Sequence, residues 1–395
     1  MQSLLVSYIC PWGAPSGARM RLGQVIKALM ERGPLDLLLL RSSPPPPAPS
    51  DLPFRTIEVV STPQSAGDAS NAPDSYVRAS CQVVVQRNAV GGILSRHWIR
   101  RANYDVVWYN RERIWLEVRG LISGSSIIDI DDLEDVLLDR WLRIGKTPSG
   151  LAAKASEVAA MKEDASWWRS SHRITGGEAD LCVFASESDR RHFGPCRRSL
   201  VVQNTYDAPV EEGRLNRLGG LSEVLLQGLM TWPPNADAAA WLVEDIAPRI
   251  RATYPSLRVT LVGLPSRPVE SLARYPYVRV TGQVADLTPY LQQTGAVVVP
   301  LRVASGSRIK ILEAFAHRVP VVATSIAAEG LEVVDDIHLK LADSADGIAR
   351  ACIEVLTSSV KREALTRSAH QLFEERYRTR YAREALSSAL DGVSS

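Results

Sequence analysis

The chain reads as an α/β protein of two doubly wound, Rossmann-like domains, and three observations predict it. Short apolar runs alternate with helical stretches along the whole sequence, the pattern of βαβ units built around parallel sheets. The length of 395 residues is long for one core and comfortable for two. The alternation breaks once, at a polar, Gly-containing, weakly periodic stretch over Tyr206–Leu221, and then starts again.

Taken in order, Leu4–Ile9 is expected as a strand, followed by a loop over Cys10–Gly17, a helix from about Ala18 to Arg32 and a strand at Leu35–Leu40. That opening implies parallel strands joined by a right-handed crossover. Residues 44–49, PPPPAP, suit neither helix nor central strand and mark an exposed connection. Asp105–Tyr109, Ser126–Ile130, Asp180–Ala185 and Val201–Gln203 are further buried-strand runs. Between them a helix is expected from near Leu133, and a long one over about Leu151–Ala179. The second series runs Glu223–Gln227, Val259–Val262, Val278–Thr281, Ala296–Val299 and Val319–Ala323, and Ser368–Leu390 reads as one helix. Ligands of such sheets sit beyond the carboxyl ends of the strands.

Composition narrows the function. Hydrophobic residues at 45% and charged residues at 23% are ordinary for a soluble protein, and a net charge of +2 argues against bulk nucleic-acid binding. No run of apolar residues is long enough to span a membrane, and the N-terminus does not read as a signal peptide, so a cytoplasmic location is expected. The five cysteines are scattered and the six histidines include no His-x-x-x-His pair, so no structural metal is expected. No G-x-G-x-x-G follows a strand, which disfavours a dinucleotide dehydrogenase.

One strand-end loop carries the most chemistry. In residues 300–331, PLRVASGSRIKILEAFAHRVPVVATSIAAEGL, Val297–Val299 leads through Pro300 into the small-residue loop Ser305, Gly306, Ser307. Arg308 to Ala316 has helix-forming composition. Backbone N–H groups at such a helix start, beside the positive end of its dipole, suit a phosphate. At about 100° per residue, Gly306, Lys310 and Glu313 share one stripe, a cation followed by a carboxylate. The plainer reading is an ordinary N-cap with Lys310 and Glu313 as a solvated i,i+3 pair.

With these segments in view, the chain resembles family 4 (group 1) glycosyltransferases of the GT-B fold, strongly over 223–357 and more weakly over 1–207. GLMTWPPNADAAAWLVEDIAP, VTLVG, VRVTGQVADLTPYL, VVVPLRVASGSRIKILEAFAHRVPVVAT and AAEGLEV occur in the family's order and spacing. SGARMR, ASESDRRHF and VVQNTYD echo its first-half segments. The resemblance implies an N-terminal acceptor-binding domain at 1–207, a nucleotide-sugar domain at 208–370 and a terminal helix at 371–395 packing back on the first domain. It also implies transfer of a sugar from a UDP- or GDP-sugar to a glycan, lipid-linked or small-molecule acceptor, in polysaccharide or glycoconjugate biosynthesis. Retention, and no bound metal or other cofactor, are implied as well.

Carried onto this sequence, the resemblance makes Ser305, Gly306 and Ser307 the diphosphate loop and Arg308 and Lys310 its cations. Glu313 becomes the acceptor of the ribose hydroxyls, with donor contacts from Gly17, Gly228, Asn235 and Glu329. Lys310 ranks above Arg308, which is rotated by about 200° from Gly306 on the helix. Glu329 equally suits a cap of the next turn. Two departures stand out. Ser305 occupies the position where many members have a glutamate facing the donor sugar, and GLMTWPPN lacks the Arg and Lys common after the first strand of this domain. A subgroup with a G-x-R-x-K-x-x-E loop shares both.

On the acceptor side, IIDIDDLED places Asp129, Asp131 and Asp132 at a strand end. Clustered carboxylates raise one another's pKa, which makes Asp131 and Asp132 candidate catalytic groups; an acidic N-cap for the next helix is an equal reading. Residues 76–119 hold eight arginines with Trp98, Trp108 and Trp115 interleaved. That segment suits an anionic membrane surface near a lipid-linked acceptor, an acidic glycan, or a solvated basic face. Ser305 and the missing basic pair keep open a second function, an inactive GT-B protein that binds nucleotide sugar as a scaffold. A nucleotide-sugar epimerase on the same fold is a distant third.

Overall fold

The computed structural model describes residues 1–13, 16–41, 45–47, 49–50, 52–61, 90, 92, 94, 99, 102–207, 222–306 and 308–393. Ser307, Trp98, most of 62–101 and 208–221 lie outside the described residues. The described residues form two sheets, and all the pairings within them are parallel.

The first sheet has the order β3-β2-β1-β4-β5-β6-β7. Its strands are β1 Ser3–Ser7, β2 Leu35–Arg41, β3 Thr56–Ser61, β4 Asn103–Asn110, β5 Ser123–Ile130, β6 Leu181–Phe184 and β7 Ser199–Val201. Helices α1 Gly17–Met30, α2 Glu112–Val118, α3 Glu134–Arg143, α4 Ala155–Glu178 and α5 Glu187–Phe193 cover it. The second sheet has the order β10-β9-β8-β11-β12-β13. Its strands are β8 Glu223–Gln227, β9 Arg258–Val262, β10 Val278–Val280, β11 Ala296–Val299, β12 Val321–Ala323 and β13 Lys340–Leu341. Around it lie α6 Pro233–Trp241, α7 Ala247–Thr253, α8 Thr288–Gln293, α9 Ile309–Ala316 and α10 Ala345–Thr357, followed by α11 Ser359–Arg376 and α12 Thr379–Val393.

The expected doubly wound α/β class is borne out, for a simple reason. A parallel strand covered on both faces must be apolar throughout, and Leu37–Leu40 and Val297–Val299 are all buried. Differences fall at the edges. β12 starts at Val321 rather than Val319, because Pro320 has no N–H to give a ladder and contributes only its carbonyl, to Val297 N at 2.9 Å. The edge strand β3, with half its residues polar, was not anticipated.

The expected single helix over Ser368–Leu390 is two. It breaks at Tyr377, whose carbonyl accepts from Tyr206 N at 3.0 Å and whose hydroxyl accepts from Glu332 N at 2.8 Å. These tertiary bonds divert a stretch of good helix formers. Beyond the break, α12 sets Ala382, Leu386, Ala389 and Leu390 into the first sheet's core, with Leu22, Val25 and Leu29 of α1. Arg198 ties its end through a 2.6 Å bond to Gly392 O.

Candidate functional site

The loop between β11 and α9 faces the loop between β5 and α3 across the two domains. Gly306 sits at φ +70, a left-handed conformation that favours glycine. A Cβ there would lie 1.9 Å from Asp131 O and 2.5 Å from Asp132 Oδ1, so only glycine allows this approach. Ser305 is 3% exposed, and its hydroxyl accepts from Leu133 N at 2.7 Å. It thus satisfies a backbone donor at the start of α3, a helix with no side-chain cap of its own. The acidic N-cap considered for this helix is therefore not what caps it. Ser305 faces the first domain rather than standing free to meet a donor sugar. Arg140 returns the contact from α3, donating to Ala304 O and holding Glu329 Oε2 at 2.6 Å.

Arg308 is the residue before α9 and is 6% exposed. Its Nε donates to Glu329 O at 2.9 Å, Nη1 to Gly306 O at 2.7 Å, and Nη2 lies 3.4 Å from Glu329 Oε2. The guanidinium is thus committed to shaping the loop. Glu329 ends the short turn Ser325–Ala328 and bridges Arg140 and Arg308.

Lys310 and Glu313 do not form a solvated surface pair; each is partly withdrawn and has another partner. Lys310 Nζ donates to Asn235 Oδ1 at 2.6 Å, and Asn235 Nδ2 donates to Leu229 O at 2.9 Å. Gln227 Nε2 donates to Lys310 O at 2.9 Å and to Glu313 Oε2 at 3.3 Å, while Gln227 Oε1 is buried without a partner. Gly228 closes the group: at φ +142, a Cβ would meet Asn235 Nδ2 at 2.9 Å and Lys310 Cε at 3.5 Å. Burial pushes the Glu313 carboxyl up to about 7 despite Gln227 and Lys310. Burial also pushes the Lys310 ammonium down to about 8. The structure therefore brings Gly228, Asn235, Lys310 and Glu313 together at the strand ends, with Gln227 as a member the sequence reading missed. Gly17 is not in that group; it opens α1 in the first domain, behind an N-cap made by Ser16.

The acidic segment divides into different environments. Asp129 Oδ1 accepts from Arg21 Nε at 2.9 Å and Nη2 at 2.6 Å, a fully buried ion pair that anchors α1 to β5. Asp131 Oδ1 accepts from Asn204 Nδ2 at 3.3 Å. Asp132 pairs with Arg111 at 2.8 Å, and Arg111 holds φ +96, a strained position for a residue with a side chain. Burial is the main force pushing Asp132 up to about 7, with Arg111 opposing it and Asp131 adding to it. Mutual carboxylate repulsion is thus the lesser cause.

A second charged cluster lies inside the first domain. His172 donates from Nδ1 to Glu112 Oε2 at 2.8 Å and from Nε2 to Asp135 Oδ1 at 3.1 Å. His192 reaches Asp135 Oδ2 at 2.7 Å, and Thr175 donates to Glu112 Oε1 at 2.6 Å. Burial pulls the His172 imidazole down, but its bonds to Asp135 and Glu112 outweigh it and push it up to about 9. Burial likewise opposes ionisation of Asp135, yet His172 and His192 hold it well below the usual carboxylate range.

The arginine- and tryptophan-rich segment 76–119 is described mainly from residue 102 onward. There Trp108 and Trp115 are buried in the core rather than offered to a surface, and Arg111 and Arg119 pair with Asp132 and Glu178. No helix among the described residues is long and apolar enough to cross a membrane.

Residues 222–358 match the family model of the glycosyl transferases group 1. A comparison with curated proteins finds no significant match. Among solved structures, sucrose-phosphate synthase from Thermosynechococcus elongatus superposes with a TM-score of 0.72 at 14% identity, over 99% of this chain and 98% of that one. WaaG, a glycosyltransferase involved in lipopolysaccharide biosynthesis, gives 0.66 at 14% identity over 99% of both chains. Anabaena HepE, solved with UDP and glucose, gives 0.64 at 12% identity over 98% of this chain and 99% of that one. The whole chain has the GT-B fold, and over residues 222–358 the family resemblance drawn from its sequence is borne out.

Proposed function

Starting from a second domain that matches the group 1 glycosyltransferase model, we propose that this protein transfers a sugar from a nucleotide-sugar donor, UDP- or GDP-linked, to a hydroxylated acceptor. One observation carries this: Lys310 and Glu313 lie side by side at the strand ends with both pKa values displaced toward neutrality by burial. A diphosphate would complete the charge of Lys310, and ribose hydroxyls would donate to Glu313. HepE, of the same fold, was solved with UDP and glucose.

In this reaction the donor diphosphate lies against Gly306 and the N-terminus of α9, and Lys310 stabilises charge developing on the leaving phosphate. Arg308 acts by holding the loop, since its donors are already taken by Gly306 O and Glu329. A fixed lysine in that place would let the transfer run without a bound metal, and retention is taken from the family resemblance alone. Asp132, near neutral pKa and opposite Gly306, is the candidate proton acceptor on the first domain. Because Gly306 touches Asp131, entry of the diphosphate requires the domains to part at this point. A cytoplasmic role in glycoconjugate assembly fits this chemistry.

The test is turnover of UDP- and GDP-sugars by the purified chain. Lys310→Ala and Glu313→Ala should each remove most of it; full turnover in both variants would overturn the assignment. The committed Arg308 favours one second reading, a GT-B protein that binds nucleotide sugar without transferring it. Calorimetric binding of a UDP-sugar with neither hydrolysis nor transfer to glycan or lipid extracts would select that reading.

A further inference from the structure

A separate cavity of about 320 Å³ opens between α3 and α5 and ends against Glu329 of the second domain. Its size is at the lower end of the range for small-molecule sites, about 300–1,000 Å³, which suits a monosaccharide-sized group. Val136 and Leu133 give it an apolar side, the kind of surface that the C–H face of a sugar ring covers.

The polar side is defined by which groups are already satisfied. Asp139 pairs with Arg169, Asp189 accepts from Ser186 Oγ at 2.6 Å, and Arg140 holds Glu329 Oε2 at 2.6 Å. Among the described lining residues, the groups with no hydrogen bond or ion pair are the Arg143 guanidinium, the Ser188 hydroxyl, His192 Nδ1, Glu329 Oε1, Asp139 Oδ1 and Asp189 Oδ1. His192 is oriented by its Nε2 bond to Asp135 at 2.7 Å, and that bond raises its pKa and favours the charged ring. The uncommitted groups on the lining are therefore two cationic donors, together with a hydroxyl and three carboxylate oxygens for ring hydroxyls. An unmodified sugar would leave Arg143 and His192 unmatched; a phosphate would match both. The cavity also adjoins the donor loop, since the Glu329 carboxylate that closes it lies 3.4 Å from Arg308 Nη2.

We propose that this cavity is the acceptor subsite and takes a phosphorylated monosaccharide, its phosphate on Arg143 and His192 and its ring hydroxyls toward Ser188 and Glu329. This rests on the transferase function proposed above. The same phosphosugar chemistry is available from a free sugar phosphate or from the head of a lipid-linked one.

Calorimetry on the full chain tests it with three probes: glucose, glucose 6-phosphate, and glucose 1-phosphate esterified to a dodecyl chain. Glucose 6-phosphate or the dodecyl diester should bind at least tenfold more tightly than glucose, and whichever binds tighter identifies the source. Arg143 is exposed at the cavity rim, so Arg143→Ala should fold. It should weaken the phosphosugar about tenfold, with His192→Gln giving a smaller loss. Equal binding of all three probes, or unchanged phosphosugar affinity in Arg143→Ala, overturns the subsite. UDP binding, measured on the same samples, should be within twofold of wild type in both variants. Failure of the wild type to bind UDP would count against the transferase function, while the phosphosugar comparison still decides the cavity.

Discussion

Two buried charged groups, one in each domain, respond to burial in opposite ways. In the first domain, His172 is flanked by Glu112 and Asp135, and its imidazole is pushed to about 9 while Asp135 is held low. Every charge there has a partner of opposite sign. In the second domain, burial drives Glu313 up to about 7 and Lys310 down to about 8, so both lean toward their neutral forms. Buried charge alone does not mark a site. A cluster that deepens its own ionisation is complete within the protein, and one that loses it is poised for a ligand to complete it.

The largest effect expected is on the first-domain cluster. His172→Ala leaves Glu112 and Asp135 buried without their imidazole and should destabilise the fold by about 3–5 kcal/mol in urea titrations. The pH dependence has a definite sign. The folded pKa of about 9 lies above the ordinary 6.5, so the stabilisation is full below pH 6.5 and is lost as pH rises through 9. That loss should be about 3 kcal/mol. A His172→Gln protein whose stability falls equally between pH 6 and 9 would break the contrast.

Next comes the donor stripe, where activity and stability should part. Lys310→Ala and Glu313→Ala should lower turnover of a UDP-sugar by roughly a hundredfold. Glu313→Gln should nevertheless stabilise the protein on the order of 2 kcal/mol at pH 8. Its folded pKa of about 7 exceeds the ordinary 4.5, so stability is present below pH 4.5 and is lost as pH rises through 7, a loss the amide avoids. Equal or lower stability of Glu313→Gln at pH 8 would mean that the carboxylate is structural.

UDP affinity supplies a finer measure. With Glu313 ionised above about 7 and Lys310 charged below about 8, binding should be tightest between those values. It should weaken by up to tenfold per unit on the acid side, a limb that Glu313→Gln abolishes. Smallest is Ser305→Ala, which removes the hydroxyl that accepts from Leu133 N. It should cost about 1 kcal/mol and speed amide exchange in the first turn of α3, and unchanged exchange there would show the contact to be incidental.

Much of this was legible in sequence because parallel sheets write themselves as apolar runs. Glu223–Gln227 and Ala296–Val299 are strands at the expected residues, and the spacing of Lys310 and Glu313 is local to one helix, whereas Gly306, read onto the same stripe, precedes that helix with a left-handed φ of +70. What stayed hidden depends on distant partners. Glu112 and Asp135 stand 60 and 37 residues from His172, and no spacing rule connects them. Gln227 looked like the last residue of a strand, and its role follows only from α9 packing beside it. Ser305 was read for what it lacks relative to a glutamate, whereas its hydroxyl is engaged by the other domain. The break at Tyr377 has no local signal, since helix formers flank it on both sides.

That break has a mechanical consequence. The chain leaves the first domain after Tyr206 and returns at Tyr377, and those two passages are bonded to each other, Tyr206 N to Tyr377 O at 3.0 Å. The two connections between the domains therefore run side by side, and what holds one in place holds the other. Tyr377 thus joins the two passages, and substitutions in its socket should loosen the seam between the domains.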